Sequence, residues 1–296
     1  MTDAPLPNPE RAWHPDHRPA IPPRAELEAR VGPLTRDPVL LSGGLANLNL
    51  DLGDGRVLRL YLRDAASIPR EVALMRTPWR HLRVPAVLDH GHDHVLMERV
   101  PHTPTLGTAE HGRALGRALA EVHARRFDTA GFLTEDARSI ATPFASVTDA
   151  FSEYVQGLEP LEPALRDTLT ARLDADRAWL DADPVLLHGD FKASNLHACA
   201  DGDLPLVLDW EFAYAGPALM DIGQLFRWGA PDAFADAFAS AYTAGGRALP
   251  GDWRSRAARA DAVNLAGLLA RSEPGSARAQ VVRERLVACV GGAWAV

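Results

Sequence analysis

His188-Gly189-Asp190-Phe191-Lys192-Ala193-Ser194-Asn195 and, further on, Val207-Leu208-Asp209-Trp210-Glu211 are the two stretches whose reading decides the fold of this chain. The first follows the apolar run Val185-Leu186-Leu187, and the second ends the apolar run Leu206-Val207-Leu208. Between them Asp201-Gly202-Asp203 is strong turn chemistry, so the pair reads as a small hairpin with polar residues gathered at one end. Such a return is short enough to bring Asp190, Asn195 and Asp209 to one edge. Phosphoryl transfer asks a protein for a carboxylate that orients a hydroxyl and for hard oxygen donors that hold Mg²⁺ on the phosphates. Asp190 suits the first task, Asn195 and Asp209 the second.

In this order and spacing the two stretches resemble the aminoglycoside phosphotransferase and choline kinase-like family, small-molecule relatives of protein kinases. That family carries a His-Gly-Asp-(four residues)-Asn loop and an apolar-Asp-Trp/Phe-Glu/Asp element. Gly216-Pro217 and Asp221 look like the segment that follows the second metal-binding Asp. The resemblance runs from about Val39 to Trp228 and is densest over residues 185–225. It implies an α+β, two-lobed, protein-kinase-like fold. Residues 34–100 would form a small, mainly antiparallel β N-lobe with one key helix, and 101–296 a larger, mostly helical C-lobe with the catalytic loop and acceptor site. Residues 1–33 are expected to be a loose N-terminal extension and a short helix. Lys192 is the only lysine of the chain. It sits two residues after Asp190, where many protein kinases place a lysine that contacts the transferring phosphate, and a flexible ammonium fits that role.

The amino-terminal part is tested against the same idea. In Ser42-Gly43-Gly44-Leu45-Ala46-Asn47 the glycines would let backbone N–H groups approach phosphates. The family has a similar Ser/Gly-Gly-x-x-Asn segment in its nucleotide-covering loop, which implies Ser42, Gly43, Gly44 and Asn47 as nucleotide contacts. Gly53-Asp54-Gly55 then reverses the chain into Arg56-Val57-Leu58-Arg59-Leu60-Tyr61-Leu62. Strand alternation puts Leu58, Leu60 and Leu62 on one face and Val57, Arg59 and Tyr61 on the other. With the second face over the cleft, Val57 covers adenine and Arg59 reaches phosphate. Protein kinases and many aminoglycoside kinases have Lys at that strand position, paired with a Glu on the following helix. Glu71 is the matching partner here. A guanidinium can still bridge carboxylate and phosphate, with a planar and longer geometry. His94-Val95-Leu96-Met97-Glu98-Arg99-Val100 resembles the run into the interlobe hinge, which implies that backbone around Met97, Glu98 and Val100 meets the adenine edge. Asp89-His90-Gly91-His92-Asp93-His94 has turn composition and reads as a solvated hairpin tip rather than a metal cluster.

Length and charge agree with this picture. A chain of 296 residues can bury a large core and divide into two lobes. A net charge of −8 argues against nucleic acid and anionic membrane partners and suits a cationic acceptor. Cys199 and Cys289 read as reduced thiols, and the polar, proline-rich start shows no leader pattern, so a cytoplasmic location is expected. Amphipathic periodicity predicts helices over 109–127, 144–157, 163–180, 217–227, 231–244, 253–271 and 277–290. His123 and His188 are read as structural histidines.

The sequence thus leads to ATP- and Mg²⁺-dependent phosphorylation of a hydroxyl on a small molecule, an aminoglycoside-type antibiotic in one version. The alternatives are a metabolic kinase for an amino alcohol, sugar or amino acid, and a non-catalytic nucleotide sensor, which Arg59 alone favours. Glu211, two residues past Asp209, is the leading acidic residue for acceptor binding, ahead of Asp149 and Glu153.

Overall fold

The computed structural model describes residues 4–13, 20–41, 47–200 and 204–293. Its small lobe contains α1 (Arg24–Val31), β1 (Val39–Leu40), β2 (Asn47–Asp51), β3 (Arg56–Tyr61), α2 (Ile68–Met75), β4 (Val87–His90) and β5 (His94–Glu98). The strands form one antiparallel sheet in the order β1-β2-β3-β5-β4. Alternation along β3 separates two cores, as period-2 geometry requires. Leu58 and Leu60 join Leu48, Leu50, Leu96 and Leu27 of α1 in an outer cluster. Val57 and Tyr61 face inward with Val95, Met97 and the α2 residues Ile68, Val72 and Met75. Leu62 lies past the end of β3 and is half exposed, so the leucine face stops at Leu60. The β4–β5 turn is the hairpin tip expected from its composition. No group of three or more His, Cys, Asp or Glu side chains suited to a metal ion occurs among the described residues.

The large lobe continues with β6 (His102–Pro104), α3 (Ala109–His123), β7 (Gly131–Leu133), β8 (Ile140–Pro143), α4 (Val147–Gln156) and α5 (Pro163–Leu180). Then come β9 (Val185–Leu187), β10 (Leu196–Cys199), β11 (Pro205–Val207), β12 (Tyr214–Gly216), α6 (Leu219–Phe226), α7 (Asp232–Ala244), α8 (Trp253–Ala270) and α9 (Ala277–Val290). The strands make two small sheets, β11-β10-β6 and β8-β7-β12-β9. The expected hairpin is present as β10 against β11, with Leu196 opposite Val207; the expected turn at Asp201-Gly202-Asp203 lies outside the described residues.

Helix α3 ends at His123, short of the Phe127 expected from its periodicity. Beyond it the backbone is taken by the segment before the Asp190 loop: Arg125 O accepts from Leu186 N–H at 2.8 Å, and Phe127 N–H donates to Pro184 O at 3.0 Å. The buried stripe Leu115, Leu119 and Val122 seats α3 in the main core. Its Gly112 and Gly116 let α7 come close, since a Cβ at either would lie 2.3 or 2.4 Å from the carbonyls of Phe234 and Phe238. A second core joins Val155 of α4, Leu169 and Leu173 of α5, Leu265 of α8 and Leu286 of α9.

The expectation of a loose extension does not describe residues 4–13. Leu6 is buried and its N–H donates to Thr105 O at 2.9 Å; Gly107 N–H donates to Ala4 O at 2.9 Å. A 3-10 turn follows at Pro9–Ala12, and Trp13 meets Trp228 edge-on at 5.6 Å. Two apolar anchors inside a polar, proline-rich stretch hold this strap on the large lobe. Among the described residues, no helix is long and apolar enough to cross a membrane.

Candidate active site

The loop that carries Asp190 is built on one glycine and one buried carboxylate. Gly189 has φ +79°, and a Cβ there would lie 2.2 Å from Phe212 O, so both backbone conformation and space require glycine. Asp221 of α6 accepts the N–H groups of His188 at 2.7 Å and Gly189 at 2.9 Å. Gln224, one turn along, accepts from Phe191 N–H and donates to Gly189 O, each at 2.7 Å. His123 Nε2 lies 3.2 Å from Asp221 and its Nδ1 2.7 Å from the Tyr242 hydroxyl. Burial holds His123 below its ordinary range even though Asp221 pulls the other way. His188 Nδ1 accepts from Asp190 N–H at 3.2 Å, which leaves Nε2–H to donate to Leu208 O at 3.0 Å. Both histidines therefore fix the loop, as the sequence suggested.

Asp190 is gripped from two sides. Asn195 Nδ2 donates to Asp190 Oδ2 at 2.8 Å and to Asp190 O at 2.9 Å, and Lys192 Nζ lies 3.0 Å from Asp190 Oδ1. Leu208 N–H donates to Asn195 O at 3.0 Å, which extends the β10–β11 ladder and brings Asn195 beside the segment that bears Asp209. The sequence reading missed Glu10. Its Oε2 lies 3.1 Å from Lys192 Nζ, its Oε1 3.0 Å from Arg227 Nη1, and it also accepts from Trp228 Nε1 at 2.9 Å. Burial lowers the proton affinity of Lys192, but Asp190 and Glu10 outweigh it and raise its pKa above the ordinary lysine value. A lone Glu among prolines carries no periodic or motif signal that marks it for this site.

Arg59 centres the second cluster. Its guanidinium lies 2.5 Å from Asp209, 3.1 Å from Glu211 and 3.6 Å from Glu71. Glu71 also accepts from the Tyr61 hydroxyl and, at 3.3 Å, from Trp210 N–H. The expected Arg59–Glu71 pair is thus present, and Asp209 and Glu211 join it. Asp209 adopts φ +70°, a left-handed conformation costly for a non-glycine residue and found where function over-determines the backbone. Three carboxylates face one guanidinium. Burial, with Asp209 beside them, pushes Glu71 and Glu211 above the usual carboxylate range despite Arg59. The side-chain oxygens of Asn195 and Asp209 are donors of the kind a hard divalent cation takes.

Two expectations change here. Glu211 is not free for an acceptor. Its carboxylate is buried between Arg59 and Asn47 Nδ2, the latter at 2.7 Å, and its carbonyl accepts from Arg70 at 2.8 Å. Asn47 is correspondingly engaged with Glu211 rather than open to a nucleotide. Both changes have one cause, the desolvation of a carboxylate that must be paired once buried. Ser42, Gly43 and Gly44 lie outside the described residues. Val57 sits opposite Met97 on the inward face of the sheet, and Val100 is buried at the lobe junction. The Glu98 carboxylate is held by Arg83 at 2.7 Å, and its N–H donates to Ala86 O at 2.9 Å. Asp149 is exposed and pairs with Arg177 at 2.7 Å, a solvated surface contact.

An antiparallel small lobe, a helical large lobe and an Asp-Asn-Asp set between them define a protein-kinase-like architecture. The chain belongs to the phosphotransferase enzyme family, whose model matches residues 38–259. No functionally curated protein matches it by sequence. Among solved structures it resembles the macrolide 2'-phosphotransferase MphH from Brachybacterium faecium, at 24% identity and TM-score 0.61 over 90% of this chain and 96% of that one. It also resembles a thermostable mutant of aminoglycoside phosphotransferase APH(4)-Ia with ADP and hygromycin B, at 16% identity and TM-score 0.65 over 92% and 99%. A third is a choline/ethanolamine kinase family protein from Mesorhizobium loti, at 19% identity and TM-score 0.65 over 91% and 92%. Others of the similar structures hold GDP. At these identities the likeness concerns the fold.

Proposed function

We propose that this phosphotransferase moves the terminal phosphoryl group of Mg·ATP to a hydroxyl of a small molecule, with Asp190 orienting that hydroxyl and taking its proton. The observation that carries this reading is the convergence of Asp190, Lys192 and Asn195 within hydrogen-bond distance, beside the segment bearing Asp209. Asn195 and Asp209 would hold Mg²⁺, which neutralises charge on the phosphate oxygens when bound. Lys192 and Arg59 supply fixed positive charge on the two sides of the cleft. A cationic acceptor suits the acidic chain, and the named similar structures act on macrolides or bind hygromycin B, so an antibiotic-type acceptor is one form of the proposal. An amino alcohol is the other, in line with the choline/ethanolamine kinase likeness. Cys199 and Cys289 are both in the reduced state, which suits work in the cytoplasm.

The test is ADP release from Mg·ATP and GDP release from Mg·GTP across macrolides, aminoglycosides, amino alcohols, sugars and hydroxy amino acids, with Asp190→Asn as control. Turnover on one acceptor class, lost in the variant, supports the proposal and names the nucleotide. Nucleotide binding without turnover on any acceptor favours a sensor, and no nucleotide binding overturns the reading.

A further inference from the structure

We infer that the N-terminal strap is part of the catalytic centre, with Glu10 as a positioning residue that shares Lys192 with Asp190 and keeps it from closing fully onto that carboxylate. The inference rests on the proposed phosphotransfer role of Asp190 and Lys192. The geometry is a single line of alternating charge, buried at its Asp261 end and partly exposed at Lys192 and Asp190. Asp261 of α8 grips Arg227 through two bonds of 2.7 Å, Arg227 reaches Glu10 at 3.0 Å, Glu10 reaches Lys192 at 3.1 Å, and Lys192 reaches Asp190 at 3.0 Å. The Glu10 side chain is only 8% exposed.

Glu10 is placed there by a built segment rather than a trailing end. Leu6 anchors one side on Thr105; on the other, Trp13 packs on Trp228 with the Arg278 guanidinium 5.2 Å from its ring. Trp228 also aims the carboxylate through its indole N–H at 2.9 Å. With two cations and an N–H donor, Glu10 is already neutralised, so it is not a receptor for a cationic acceptor. Its consequence falls on Lys192. Without Glu10 the ammonium and the Arg227 guanidinium become neighbouring like charges, and among the described residues Asp190 is the carboxylate left to Lys192. The ammonium then collapses onto the group that must receive the hydroxyl proton. With Glu10 present, it is shared between two carboxylates at nearly equal distance.

Lys192 being the only lysine gives a direct readout. Wild type, Glu10→Gln and the milder Trp228→Phe are compared for Mg·ATP hydrolysis and for acylation of Lys192 by acetic anhydride, read by peptide mapping. Trp228→Phe removes the aiming N–H but no charge, and it serves if Glu10→Gln does not fold. Glu10→Gln is expected to lower kcat at least about tenfold with the KM for ATP nearly unchanged, and to speed acylation about tenfold as the ammonium loses a carboxylate. Trp228→Phe should move both in the same direction by less. Unchanged acylation overturns the inference, as does faster acylation with unchanged or raised kcat. A wild type inert toward Mg·ATP whose acylation still responds would count against the kinase reading and leave the Glu10 contact standing.

Discussion

Arg59 of the small lobe and Asp209 of the large lobe meet at 2.5 Å, an ion contact between residues 150 positions apart in the chain. The same guanidinium answers Glu71 and Glu211, so one cation ties three carboxylates together at the lobe junction. Arg59→Ala leaves buried carboxylates unpaired and is expected to cost about 3–5 kcal/mol. Arg59→Lys keeps the charge but loses the planar fork, so it should cost less and mainly raise the KM for nucleotide. Urea unfolding and nucleotide titration of both variants check this. Equal stability of wild type and Arg59→Ala would contradict the assigned contact.

Asp190→Asn should leave the fold and nucleotide binding intact while kcat falls by roughly 10²–10⁴. The side-chain amide can still be held in the loop, but it has no basic oxygen for the proton. Steady-state kinetics with a melting curve separate this outcome from unfolding.

Gly189→Ala carries the opposite signature. The new methyl group would meet Phe212 O at 2.2 Å in a backbone conformation of φ +79°. A loss on the order of 1–3 kcal/mol is expected from the backbone conformation alone, with turnover falling as the loop shifts. A folded, fully active Gly189→Ala protein would show that the loop backbone is not fixed as described.

Acid stability should depend on Glu10. Burial raises its pKa, but Lys192 and Arg227 prevail and hold it at about 2, against 4.5 for the ordinary group. Because the folded value is the lower one, the unfolded chain binds more protons between the two. The stabilisation is present above about pH 4.5 and lost as pH falls toward 2, a contribution of about 3 kcal/mol. Urea midpoints of wild type and Glu10→Gln should therefore differ at neutral pH and converge near pH 2. A constant difference across that range would argue against the assignment.

What the sequence disclosed follows its local order. The alternation of Val57, Arg59 and Tyr61 against Leu58 and Leu60 is a period-2 pattern, so the inward face of β3 was legible. Pro163 opens α5 at the residue expected, because proline marks a first helical turn. What stayed hidden was long-range. No local pattern says that β6 pairs with β10, or that Asn47 reaches Glu211. Nearness to Asp209 makes Glu211 look like an acceptor contact in the sequence, whereas burial and Arg59 decide where it points. Glu10 is the extreme case, since proline-rich polarity is also what a disordered tail shows.

The hydroxyl of Tyr242 on α7 holds His123, His123 holds Asp221, and Asp221 holds the amides of the loop that presents Asp190. Asp190 is thus braced by a scaffold reaching across three helices before any ligand arrives. Heat or a substitution that slackens α7 will therefore be felt first as misaimed chemistry, in a protein that spectroscopically still looks folded.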